Sequence, residues 1–192
     1  MKRLILVRHA PTAATRLAAF PVDEPLDDDG KIAAAKLQRL LRASDEVLCS
    51  PTLRCRQTVE IAGAEPTVEP ELAECDFGEW GGRVLADVHA EDPDAARAWM
   101  TDPEARPHGG ESLRQFSNRV STWLNAQAKS DGRAFAVTHG GVIKAALVHS
   151  IAAPVESFWR FDAAPLSVTE LHAFDGRWTV SRINCPIAVV ER

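Results

Sequence analysis

The chain has 192 residues, 45% hydrophobic and 6% aromatic, which is the size of one globular domain, or one domain with an insertion, and enough to bury a core. Its 22 basic and 27 acidic residues give a net charge of -5. No basic field therefore gathers nucleic acid or an anionic membrane, and any anionic ligand must be held by groups placed directly against it. Four cysteines, Cys49, Cys55, Cys75 and Cys185, make no C-x-x-C pair and have no metal-ligand spacing against the six histidines, so reduced thiols are expected rather than zinc or a redox pair.

The start, MKRLILVRHAP, carries an apolar run only over residues 4–7, too short for the core of a signal peptide. No later stretch approaches the ~18 apolar residues of a membrane span. A cytoplasmic protein without membrane or nucleic-acid partners is expected. Residues 4–7 read as a short buried strand, and the next regular element is expected only after the turn-rich FPVDEPLDDDG. There Asp27 is the predicted N-cap, with Asp28 and Asp29 against the positive helix end. Ala33, Leu37, Leu40 and Leu41 then recur on one helical face. EVLCS (46–50) is a second buried strand and TLRCRQTVEIAGA (52–64) a second helix.

From about 71 to 110 the texture changes to glycines, prolines and the acidic EDPDAARAWMTDPEAR, which predicts an excursion with one or two short helices, a cap over about 75–110. Leu113, Phe116, Val120, Trp123 and Leu124 mark an amphipathic helix, AFAVT (134–138) a strand, and GGVIKAALVHSI a helix apolar nearly all round and therefore buried. SVTELHAF and RWTVSRI flank Asp175-Gly176 as a hairpin. The expected architecture is a single α/β domain over 1–192. It is a three-layer sandwich with a mostly parallel central sheet, helices on both faces, a small cap insertion and a C-terminal hairpin.

Three predicted strands end on chemistry: the first on Arg8-His9, the second on SPTLR with Arg54, the third on His139-Gly140-Gly141. In a parallel sheet these ends share one edge, where such folds bind ligands. Two guanidiniums and two imidazoles there repel one another unless an anion sits between them. Phosphate suits the planar fork of arginine, and the free N–H groups of a helix beginning at Gly140-Gly141 also favour an anion.

LVRHAPT, CSPTLRCRQT, ELAECDFGEW, GGESLRQFSNRV and VTHGGVIKAAL resemble, in order, the blocks of the histidine phosphatase superfamily, the phosphoglycerate-mutase-like group. The resemblance implies His9 as the nucleophile that becomes phosphorylated. It implies Arg8, Arg54 and His139 as the groups holding the phosphoryl moiety, with His139 also catalytic, and Glu74 as proton donor; no metal or cofactor is required. Two positions depart from the pattern: Ala10 stands where glycine is usual, and Gly81-Gly82 follow Trp80 where many phosphatases have Glu-Gly. Glu74 is then the best-matched acid, with Asp76 and Glu79 as open alternatives. The compact cap resembles the small-molecule phosphatases of the group, the α-ribazole phosphatase type among them, so a small phosphomonoester is the expected substrate.

Rival readings are a mutase-type phosphotransferase, a phosphate-binding module without turnover, and a cysteine phosphatase. The last needs five residues between Cys and Arg, whereas Cys49 and Arg54 have four, and Pro51 removes an N–H from the loop. His89, His108, His149 and His172 read as surface or packing histidines, Arg56 as solvated, and Ser112 as a helix cap with a possible role near the phosphate. Trp80, Trp99 and Trp159 are candidates for the substrate pocket, Trp159 equally for packing. Oligomeric state is not encoded in any of these motifs.

Overall fold

The four apolar residues at 4–7 set the layering. Leu4 and Leu6 pack with Phe116, Val120, Leu124 and Ile143, while Ile5 and Val7 pack with Leu37, Cys55 and Val59, so alternate side chains of one strand feed two separate cores. The computed structural model, which describes residues 1–190, places that strand inside a six-stranded sheet. The strands are β1 (Lys2–Arg8), β2 (Glu46–Cys49), β3 (Thr67–Val68), β4 (Gly132–Thr138), β5 (Val168–Phe174) and β6 (Arg177–Cys185). Their order is β3-β2-β4-β1-β5-β6. The β3-β2-β4-β1 half is parallel, and β5 and β6 are antiparallel additions.

The helices are α1 (Ala13–Leu17), α2 (Asp28–Ala34), α3 (Leu53–Ile61), α4 (Leu85–Glu91), α5 (Pro93–Thr101), α6 (Leu113–Gln127), α7 (Gly140–Ser150) and α8 (Ile187–Val190). α6 and α7 cover one face of the sheet, and α3 with the turn of residues 35–40 that follows α2 covers the other. Parallel strands buried on both faces account for the near-continuous apolar composition of β1 and β4. α6 opens with the expected cap: Ser112 accepts from the Gln115 N–H and the Gln115 side chain accepts from the Ser112 N–H. Asp175 and Gly176 both have positive φ, 50° and 72°, the turn that matches the twist of the β5–β6 hairpin. Among the described residues no helix is long and apolar enough to cross a membrane.

Several elements differ from expectation. α1 forms ahead of the turn-rich segment, where no regular element is expected, started by Thr12, whose Oγ1 accepts from the Thr15 N–H at 3.2 Å; five residues are too few to show a period. α2 stops at Ala34 and tightens into a 3-10 helix over Ala35–Leu40, so Leu37 and Leu40 align three residues apart and are buried, while Ala33 and Leu41 are only half-buried. β3 is two exposed residues on the sheet edge and carries no alternating pattern.

Residues 75–110 do hold two short helices, α4 and α5, but the segment has its own apolar centre. Phe20, Trp80 and Val88 are buried together with Phe77 and Trp99 against them. Backbone bonds tie this segment to the loop after α1: Phe20 N–H to Arg83 O at 2.9 Å and Gly82 N–H to Phe20 O at 2.8 Å.

Candidate active site

The ends of β1, β2 and β4 are stitched together past the last regular pairs. His9 N–H donates to Thr138 O at 2.9 Å, and Ser50 N–H to Val137 O at 3.0 Å. These bonds place His9, Ser50 and His139 side by side at the carboxyl edge of the sheet. Arg54 arrives from the first turn of α3. Thr58, one turn later, accepts from Ala10 N–H at 3.1 Å and donates to Arg54 O at 2.7 Å, so the chain after His9 is pinned to the helix that carries Arg54.

The rings of His9 and His139 lie 5.3 Å apart, centroid to centroid, at 65°. Arg54 links them: its Nε is 3.3 Å from His9 Nε2 and its Nη2 is 3.2 Å from His139 Nδ1. Its Nη1 donates to Val22 O at 2.7 Å. A guanidinium only donates, so both ring nitrogens it meets are acceptors and carry no proton. His9 Nδ1 then holds the proton and donates it to Ala10 O at 2.7 Å. His139 Nε2 holds its proton against Ser50 Oγ at 2.7 Å. Hydrogen bonding thus assigns both tautomers.

Burial pushes the His9 imidazole down to about 3, with the Arg54 and Arg8 charges adding to the fall and the Ala10 carbonyl opposing it. His139, fully buried, is held well below the usual imidazole range by desolvation, then by His9, Arg54 and Arg8. Both rings are therefore neutral at pH 7. His139 serves as an acceptor from Arg54 in this state and adds no third positive charge.

A cavity of about 510 Å³ opens over His9 and Arg8, lined also by Glu74, Phe77, Trp99, Lys144 and Asp162. Arg54 and His139 are not among the residues lining that cavity but contact the His9 ring that does. Arg8 is anchored by an Nη1 bond to Ala163 O at 2.7 Å, while its buried Nε has no hydrogen-bond partner. Glu74 Oε2 accepts from Gly141 N–H at 3.2 Å and Oε1 from Cys75 N–H at 3.0 Å. The N-terminus of α7, expected to be free for a ligand anion, thus already donates one N–H to a carboxylate of the chain itself. A Cβ at Gly141 would lie 2.1 Å from Glu74 Oε1, so glycine is required there for the acid to reach the helix.

A model of the histidine phosphatase superfamily (branch 1) matches residues 4–186. The chain belongs to that superfamily. It is 34% identical over 170 residues to the adenosylcobalamin/α-ribazole phosphatase of Salmonella typhimurium, covering 83% of this chain and 84% of the relative. It is 30% identical over 195 residues to phosphoserine phosphatase 1 of Hydrogenobacter thermophilus, covering 96% and 92%. Among solved structures, the α-ribazole phosphatase of Shigella flexneri superposes with a TM-score of 0.82 at 29% identity, covering 95% of this chain and 96% of that one.

Within this histidine phosphatase the remaining candidates sort by position. Asp76 and Glu79 are exposed and do not line the cavity over His9; Asp76 instead accepts from Gly78 N–H at 2.9 Å. Cys49 and Cys55 are buried, their thiols pushed up to about 11 and about 12 mainly by desolvation, which keeps them protonated. Arg56 and His89 are exposed, His149 bonds Asn125, and His172 pairs with Glu170. His108 is buried among the rings of Phe77, Trp80 and Trp99. Trp99 lines the cavity, whereas Trp80 is packing. Among the described residues no group of three or more His, Cys, Asp or Glu side chains could hold a metal ion.

Sequence reasoning passed over Ser50, Lys144 and Asp162. Ser50 had a signal, a polar residue directly after a buried strand. Lys144 had a sharper one, being the single charge inside a helix that is otherwise apolar nearly all round.

Proposed function

We propose that the protein is a phosphomonoesterase that hydrolyses a small phosphorylated metabolite through a phosphohistidine on His9. One observation carries this reading: Arg54 donates to the unprotonated Nε2 of His9 and the unprotonated Nδ1 of His139 at once, leaving His9 a neutral nucleophile at the base of a cavity walled by Arg8 and Glu74. Family membership and relatives named as phosphatases support it.

In the first step the Nε2 lone pair of His9 forms a bond to phosphorus as the ester P–O bond breaks. Nδ1–H, bonded to Ala10 O, steadies the ring as it takes on positive charge. Nε2 cannot accept a hydrogen bond and bond to phosphorus together, so the Arg54 Nε–H keeps its proton and redirects its hydrogen bond from the ring to a phosphoryl oxygen. Arg8, with its unpartnered Nε–H, holds a second oxygen. Glu74 gives its proton to the departing alkoxide, then takes one from the water that attacks phosphorus as the P–N bond breaks; inorganic phosphate leaves and His9 is restored. Exposure of Asp76 and Glu79 outside the cavity favours Glu74 for this task. Residues 75–110 act as the cap, supplying Phe77 and Trp99 to the wall.

The 34% identity to an α-ribazole phosphatase places α-ribazole phosphate first in a panel with phosphoserine, 3-phosphoglycerate and sugar phosphates, assayed with a chelator present. Isomerised phosphoglycerate without released phosphate would identify a mutase instead. Rapid quench with ³²P-labelled substrate tests the mechanism: an acid-labile, base-stable phosphoenzyme is expected, absent in His9→Asn. Full turnover with no such species overturns the covalent route.

A further inference from the structure

Glu74 stands at a junction. With Phe77, Trp99 and Lys144 it lines not only the cavity over His9 but a second one beside it, of about 140 Å³, whose other walls include Phe116, Phe158 and Trp159. Trp99 and Trp159 meet edge to face at 4.7 Å between centroids, and Phe158 meets Trp159 in the same manner at 5.0 Å. Lys144 Nζ lies 5.1 Å from the Phe158 ring centre and 5.9 Å from that of Trp159. Its ammonium has no hydrogen bond or ion pair among the described residues. A volume of this order is enough for a benzene-sized guest.

On the phosphatase reading, the oxygen that leaves phosphorus must stand at Glu74, so the alcohol departs toward this flanking cavity. We infer that the flanking cavity is the leaving-group subsite and takes one flat, uncharged ring joined to the ester oxygen by a short linker. Such a ring meets aromatic edges and faces on most sides, with the Lys144 ammonium placed for a cation–π contact. A carboxylate arm in the same space would lie mostly among aromatic rings, with Lys144 as the one cation among the lining residues.

The test compares esters whose leaving alcohols have similar acidity: ethyl against 2-phenylethyl phosphate, and propyl against 3-phenylpropyl phosphate. At least one phenyl ester is expected to exceed its alkyl partner in kcat/KM by about ten- to a hundredfold, the scale for burying one such ring. Trp99→Leu and Trp159→Leu, which remove two lining rings that touch each other, should each bring that ratio toward one. Wild-type ratios within about twofold for both pairs overturn the inference. So does a preference for phosphoserine or 3-phosphoglycerate that Lys144→Met abolishes. If no ester is turned over, the phosphatase reading fails while the subsite is still read by tryptophan fluorescence. A saturable change with 3-phenylpropanol, missing with 1-propanol, supports it, and no saturable change overturns it.

Discussion

Arg54 Nη2 donates to His139 Nδ1 at 3.2 Å, and that bond fixes the side of the imidazole on which the proton sits. Because Arg54 Nε also meets His9 Nε2, one rigid guanidinium orients both rings at the carboxyl edge of the sheet. Lysine has a single ammonium on a flexible stem and cannot serve both nitrogens with one planar group. Arg54→Lys is expected to lower kcat by about 10² to 10³, the scale for one oxyanion donor, and to fall close to Arg54→Ala. Activity near wild type in Arg54→Lys would count against the bridging role.

Ser50 supplies the acceptor for the other side of His139, at 2.7 Å with both groups buried. Ser50→Ala leaves the Nε2–H of a fully buried ring without that partner. Chemical denaturation should show a loss of about 1–3 kcal/mol. Ser50→Thr, which retains a hydroxyl, should recover part of it.

Gly141 and Glu74 are coupled by contact, since any side chain at 141 would enter the space of the carboxylate. Gly141→Ala should therefore displace the acid and resemble Glu74→Gln, lowering kcat by about 10² to 10⁴. An aryl phosphate with a good leaving group should lose far less, because its departure needs little proton transfer. Equal losses on both substrates would detach Glu74 from leaving-group protonation.

The neutral histidines set a pH dependence of stability. His9 is pushed down to about 3 by burial first and by Arg54 and Arg8 next, and His139 is pushed in the same direction. An unfolded imidazole titrates near ~6.5. Between about 6.5 and about 3 the unfolded chain binds protons that the folded chain refuses, so stability falls as pH drops through this window. Each ring contributes up to about 1.4 kcal/mol per pH unit. Urea midpoints at pH 8, 6 and 5 should decline below 6.5, and His9→Asn and His139→Asn should each flatten the decline.

The parts of the site read most readily from sequence are those fixed by strand ends. Arg8 ends β1, His9 and His139 follow β1 and β4, whose apolar runs are continuous, and Arg54 follows β2 by a short fixed path, so parallel pairing alone brings them together. α1 and β3 escaped because five and two residues cannot express a period. The change from α to 3-10 at Ala35 escaped because leucines at 37 and 40 fit either helix. The bond from Gly141 to Glu74 escaped for a different reason. It joins residues 67 apart in the chain, and nothing local in either stretch announces the other.

β1 is hydrogen-bonded along both edges, to β4 on one side and β5 on the other, and His9 is the next residue. Amide deuterium uptake at Leu6 and Val7 is then expected to require global opening, whereas α4 and α5, joined to the body through loop bonds and an aromatic cluster, are expected to exchange by partial opening. On the proposed reading, His9 follows the strand expected to exchange most slowly and α4 and α5 lie in a segment expected to exchange faster, so substrate would enter and product leave by movement of residues 75–110 while the sheet stays intact.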